Sequence, residues 1–143
     1  VETWKEQARK ERTIVVLVGS VDAKAWNPEE VEVGARLVAS VRQRFELQPH
    51  AVAVTGDGVG GTMALVASFL NAGTYSGVAV KSEVKPPAIQ LRENDPTSPL
   101  HILVQGDQRP GWAEAVSKVG YAVLQGSNDR QSLFHYVWYL ARI

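Results

Sequence analysis

The residues best placed to do chemistry form one short stretch, Ala51-Val-Ala-Val-Thr-Gly-Asp-Gly-Val-Gly-Gly-Thr62. In it an apolar run meets a glycine turn and then a segment of small residues. A strand that turns straight into a helix brings the free N–H groups of the helix to the turn, and glycines let a ligand or another piece of backbone come close. Two chemistries use such a turn. Gly56, Gly58 and Gly61 fit G-x-G-x-x-G, the dinucleotide fingerprint, with Glu83 as the acidic residue near the end of the next strand. Gly56-Asp-Gly-Val-Gly60, followed by Gly61, fits the G-x-S-x-G nucleophile elbow with Gly58 in the place of the nucleophile. The fingerprint fits less well, because it belongs on the first strand of its fold and here a strand and a long helix precede it. Glu83 also lies 27 residues after Gly56, beyond the usual ~20. Asp57 serves as a nucleophile only if the frame shifts by one, which puts Val59 where a glycine normally permits close packing.

Elsewhere the chain is poor in reactive groups. It has no cysteine, which excludes disulfides, thiolate metal sites and a cysteine nucleophile. Of the three histidines, His50 precedes a strand, His101 begins one and His135 lies inside the last helix. No pair has metal-ligand spacing, so neither a metal nor a cofactor is expected. Lys plus Arg equals Asp plus Glu at 15 each, which removes the electrostatic argument for nucleic acid or an anionic membrane. No apolar run approaches the ~20 residues that a membrane span needs.

The elements that must position the glycine turn follow from hydrophobic pattern. Ile14–Val18, Ala51–Thr55, Gly77–Val80, His101–Val104 and Tyr121–Leu124 are nearly continuous apolar runs, the signature of strands covered on both faces. Helices are expected between most of them. Pro28–Phe45 has Asn27 to cap it, Pro28 at the first helical position, Glu29 and Glu30 at the positive end of the dipole, and Val31, Leu37, Val38 and Val41 as a buried stripe. Gly61–Asn71 is small and apolar almost all round, a buried helix ended by Gly73. Gly111–Val119 is shorter, and Gln131–Ile143 carries Leu133, Tyr136, Val137 and Leu140 on one side. Tyr136, Trp138 and Tyr139 cannot all face inward, so that helix has aromatic surface to spare. Ser82–Pro99, rich in proline and polar residues, reads as a long loop.

The order and spacing of several segments resemble those of a known superfamily. Ala25-Trp-Asn-Pro-Glu-Glu30 with its helix stands before the elbow. Thr74-Tyr-Ser-Gly-Val-Ala-Val-Lys-Ser82 follows as a strand after the elbow helix, and Pro99-Leu-His-Ile-Leu-Val-Gln-Gly106 as a further strand. Over about Ile14–Ile143 the chain resembles the core of the α/β-hydrolases, notably dienelactone-hydrolase-like and esterase-like members, with the earlier strands missing. The resemblance implies three catalytic posts, and all are vacant. Gly58 holds the nucleophile's place. Arg109 holds the acid's, with Asp107 two residues earlier, and an arginine has only donors to offer. The histidine's loop, Gln125-Gly-Ser-Asn-Asp-Arg130, contains no histidine.

The expected fold is a three-layer α/β/α domain at residues 13–143, with a mainly parallel sheet of about five strands. Residues 1–12 precede it as an N-terminal helix or linker. The chain opens on Val1 and a charged amphipathic stretch, so it is expected to be part of a longer polypeptide whose localisation is undecided. In open parallel sheets the functional crevice lies beyond the carboxyl ends of the strands. That places Gly19–Trp26, Gly56–Gly61, Lys81–Pro87, Gln105–Trp112 and Gln125–Arg130 around it. The crevice residues to examine are Ser20, Asp22, Trp26, Asp57, Gly58, Val59, Asp107, Arg109, Trp112, Asn128 and Asp129. Asp22, Asp57, Asp107, Arg109, Asp129 and Arg130 form either a polar pocket for a small ligand or a set of loop residues that pair and cap helices. Trp26 and Trp112 either roof the crevice as core or contact a partner. The expected function is binding, assembly or scaffolding, with other domains of the parent protein or a homo-oligomer as partner, a possible small ligand, and no nucleic acid. The competing expectations are a serine-hydrolase or esterase-type enzyme completed from outside the chain, and a nucleotide-binding module on Gly56–Gly61.

Overall fold

Four of the five apolar runs become strands of one sheet in the computed structural model, which describes residues 2–143 except residues 23, 87 and 88. The strands are β1 (Ala53–Thr55), β2 (Gly77–Lys81), β3 (His101–Gln105) and β4 (Ala122–Gly126). They lie in sequence order, β1-β2-β3-β4, and every pair is parallel. The helices are α1 (Glu2–Lys10), α2 (Val31–Arg44), α3 (Val59–Leu70), α4 (Trp112–Lys118) and α5 (Arg130–Leu140).

Alternation along the central strands divides the core between two faces. Val78, Val80, Ile102 and Val104 point to one side, where they meet α3, Val31 of α2 and Val116 of α4. Ala79 and Leu103 point to the other, against Leu140, Leu133, Tyr136 and Val137 of α5. The result is an α/β/α sandwich. The continuous apolar runs are explained by this double cover, because a strand buried on both faces has no solvent side to make polar. The α1 helix lies outside the α5 layer, with Trp4 edge-on to Phe134 at 5.5 Å between ring centroids.

Local signals set the helices. Asn27 Oδ1 accepts from the Glu29 N–H at 3.2 Å, and Glu30 Oε2 accepts from the Asn27 N–H at 2.8 Å, a reciprocal capping box. It opens on a 3₁₀ turn at Pro28–Glu30 before α2 begins. The buried helix expected after the glycine turn is α3, with Gly61, Ala64, Leu65, Val66, Ala67 and Ser68 all buried. The long loop at 82–99 carries no regular element among its described residues; Pro87 and Ala88 lie outside them. Asn94 secures it, donating to the Leu100 carbonyl and accepting from the Leu100 N–H.

One expectation fails. Ile14–Val18 is not a strand; the parallel α/β sheet is as expected, with four strands among the described residues where about five were read. Among the described residues no hydrogen bond joins residues 14–18 to another segment, and Ile14, Val16, Leu17 and Val18 are exposed, Leu17 at 69%. An apolar β-branched run becomes a strand only where a neighbour supplies the ladder, and β1, the first strand to follow it, is only three residues long. Among the described residues no helix is long and apolar enough to cross a membrane.

Packing between β2 and α5 leaves no room at Gly77. A Cβ there would lie 2.4 Å from Leu140 Cβ, in a fully buried contact. Gly77→Ala is therefore expected to lower the unfolding free energy in urea by ~1–3 kcal/mol. Gly19→Ala, with nothing within 4 Å of the new atom, is expected to change it by no more than ~0.5 kcal/mol. Equal midpoints for the two variants would contradict this packing.

Candidate functional site

At the carboxyl end of the sheet, β1 passes into α3 through Gly56, Asp57 and Gly58. Gly58 has φ 52° and ψ −123°, a backbone conformation that strains any residue with a side chain. The glycines around it do different work. A Cβ on Gly56 would lie 2.3 Å from the Gly60 carbonyl oxygen, so the two stretches of backbone touch. A Cβ on Gly61 would lie 2.8 Å from Val84 Cγ2, which presses the start of α3 against the loop after β2. A Cβ on Gly58 would meet nothing within 4 Å, so this position has open space beside it. The Gly58 carbonyl accepts from the Gly61 N–H at 3.0 Å and from the Thr62 N–H at 3.2 Å, closing the first turn of α3.

Asp57 is engaged on both carboxylate oxygens. Oδ1 accepts from the Gly58 N–H at 3.0 Å, and Oδ2 pairs with Lys81 Nζ at 2.9 Å. Lys81 ends β2, so the pair bridges adjacent strand ends. With the Asp57 side chain 68% exposed, the pair orients the turn more than it stabilises it. Val59 is exposed at the start of α3. Trp112, half-buried, donates from Nε1 to the Val84 carbonyl at 2.9 Å and packs against the core, so it roofs the loop after β2.

The remaining candidates are held in separate structural roles. Arg109 donates to the Val123 carbonyl of β4 and to Ser117 Oγ of α4, each at 3.3 Å. Asp107 and Asn128 are exposed. Asp129 Oδ2 accepts from Ser132 Oγ at 2.9 Å at the start of α5. Gln105, buried at the end of β3, donates to the Ser127 and Asp129 carbonyls and so fixes the last loop. The Arg130 side chain lies outside the described residues, as does Pro87.

Ser20 and Asp22 belong to a loop organised by Glu30. Its Oε2 accepts from Ser20 Oγ at 2.8 Å and from the Asn27 N–H, and its Oε1 accepts from the Val21 N–H at 2.9 Å. The Asn27 N–H first, then the Val21 N–H and the Ser20 hydroxyl, hold the Glu30 carboxyl below its usual value. Asp22 Oδ1 accepts from the Lys24 N–H at 2.9 Å, a local Asx turn. Trp26 is half-buried in the same loop.

The structure thus brings Asp57, Gly58, Val59 and Trp112 to one region, and distributes Ser20, Asp22, Arg109 and Asp129 among caps and turns. His50 and His101 stand at the amino-terminal ends of β1 and β3, opposite Gly58, and His135 is exposed on α5. Among the described residues no group of His, Cys, Asp and Glu could hold a metal ion. Two open grooves of about 310 Å³ each lie elsewhere, one including Arg42 and His50, the other Arg109 and Glu114. Lys81, Glu30 and Gln105 hold these turns and loops, and none of them is among the candidate crevice residues, although Lys81 and Gln105 open two of the crevice segments. Lys81 had a signal, its place at the end of the strand after the elbow. Glu30 had one too, the Asn-x-x-Glu spacing of the capping box. Comparisons with family models, with curated proteins and with solved structures find no match for the chain.

The Glu30 contacts carry a pH dependence. A carboxyl whose folded value is lowered contributes stability that is present above its unfolded value and lost as pH falls through its folded value. Acidification below the usual carboxylate range is therefore expected to lower the exchange protection of the Val21 and Asn27 amides. Glu30→Gln is expected to lower it several-fold at neutral pH. Unchanged protection of both amides in Glu30→Gln would show that the carboxylate does not order the loop.

Proposed function

We propose that this chain is a non-catalytic relative of the α/β-hydrolases and acts by binding, assembly or scaffolding, with another domain of its parent protein or a second copy as partner. The observation that carries this reading is Gly58. It stands between a parallel strand and a buried helix at φ 52° and ψ −123°, with Gly56 against Gly60 beside it and open space where a side chain would project. A strand-to-helix turn of this kind serves to lift a nucleophile above a sheet. Here the turn keeps its shape without the nucleophile.

The supporting groups are missing as well. A serine nucleophile needs a base within hydrogen-bond reach and an acceptor to orient that base. His50 and His101 stand at the far end of the sheet. The residue in the acid's place, Arg109, is a donor that faces Ser117 and Val123. The only carboxylate inside the turn, Asp57, is paired with Lys81 and holds the Gly58 N–H.

Two experiments test the proposal. The protein is expected to show no labelling by a fluorophosphonate probe and no turnover of aryl esters. Gly58→Ser, whose new side chain has room, is expected to remain inactive because base and acid are absent too. Labelling of the unaltered chain, or a gain of ~10³ or more in esterase rate on Gly58→Ser, of the size that one positioned acid–base group supplies, would overturn the proposal.

A further inference from the structure

Two features of this fold each lack what the other has. Residues 14–18, Ile-Val-Val-Leu-Val, are β-branched or leucine throughout, yet their backbone makes no hydrogen bond to another segment among the described residues. Four of their five side chains are exposed, at 44% for Ile14, 47% for Val16, 69% for Leu17 and 39% for Val18. β1, meanwhile, is an edge strand of three residues whose outer side pairs with no strand among the described residues. An unpaired edge is a ready template for another strand, and native proteins ordinarily cover or block it. At the opposite edge, Arg109 takes one carbonyl of β4, that of Val123.

The ends of the segment are already anchored in a way that suits pairing. On one side α1 rests on α5 through Trp4 and Phe134, in the layer that covers β1 and β2 from below. On the other, Ser20 and Val21 are tied to Glu30 at the head of α2, which packs on α3 in the upper layer. The chain therefore passes from the layer of α5 to the layer of α2 between Lys10 and Val31, and a course along the open edge of β1 would join the two. Its direction is also set. α2 starts where residues 14–21 finish and leads into the amino-terminal end of β1, so the run and β1 can point the same way, with α2 as the crossover of a β–α–β unit.

We propose that residues 14–18 are a strap that closes on the open edge of β1 as a fifth parallel strand, and that the structure described here is its open state. Both partners lie on one chain, so closure needs no second molecule and is favoured by their high effective concentration. Closure covers the exposed run and completes the edge. It is independent of the absent catalysis proposed above.

The test rests on the alternation of a ladder. In a parallel pair, the N–H and C=O groups of every second residue face the neighbour. Proline removes a donor, and an edge strand tolerates it only where the N–H faces solvent. Hydrogen exchange is measured on the whole chain and on Val16→Pro and Leu17→Pro. In the unaltered protein, alternate amides within 14–18 are expected to be protected at least ~tenfold over the unprotected rate. One proline variant is expected to abolish that protection, and the other to retain it. Glu46→Gln, at an exposed residue outside the run and its anchors, reports whether the fold survives a surface change and is expected to leave the protection intact. Absence of protection throughout 14–18, or equal effects of both prolines, would overturn the proposal. Protection that appears only at concentrations where the protein dimerises would overturn it in favour of strand exchange between copies.

Discussion

The contact between the backbones of Gly56 and Gly60 is the constraint on which the rest of the fold depends. No side chain fits between them, since a Cβ on Gly56 would lie 2.3 Å from the Gly60 carbonyl oxygen. That approach lets β1 turn into α3 within three residues and lays the most apolar helix of the chain on the sheet. Gly61 continues it, bringing α3 up to Val84, and Val84 in turn receives the Trp112 indole through its carbonyl. The first three strands are thereby connected at their carboxyl ends through one glycine turn. Gly58 is the residue that absorbs the unusual backbone angles.

Around that turn, polar side chains complete the architecture. Asp57 holds the turn's own N–H and reaches Lys81 on the next strand. Gln105, buried at the end of β3, anchors the last loop. Glu30 gathers three donors of the loop before α2. These contacts satisfy backbone groups that would otherwise be left unpaired where strands and helices end. A site built for acid–base chemistry places side chains against one another, with a base oriented toward a nucleophile. Here most of the side chains at this end of the sheet are oriented toward backbone.

Much of this was legible in the residues. Double burial writes continuous apolar runs, so β2, β3 and β4 could be read within two residues of their ends, and the two-sided core explains why. The small, uniformly apolar stretch after the glycines had to be a buried helix, and α3 is one. Asn27 announced the cap of the helix that follows, though not Glu30's reciprocal contact. The run at 14–18 misled because composition records what a segment can pair with, not whether its partner is in place. The site was less legible. Gly58 could be recognised from spacing, but spacing left the charges near the crevice open between a polar pocket and loop residues that pair and cap helices. Which partners Arg109 and Asp129 take, on β4, α4 and α5, depends on side-chain rotations that no linear pattern encodes. Lys81 marked the start of a crevice segment, but its pairing with Asp57 follows only when β1 and β2 stand in register, Thr55 beside Ala79.

The glycine turn is architecture, and its tight point is the Gly56–Gly60 contact rather than position 58. The most direct measurement is the urea unfolding free energy of Gly56→Ala against Gly58→Ala. Gly58→Ala has open space for its methyl group and pays only backbone strain, ~1–3 kcal/mol. Gly56→Ala drives a methyl group into backbone that cannot step aside, so the account predicts the larger loss there. A Gly56→Ala variant as stable as Gly58→Ala, or more stable, would contradict it.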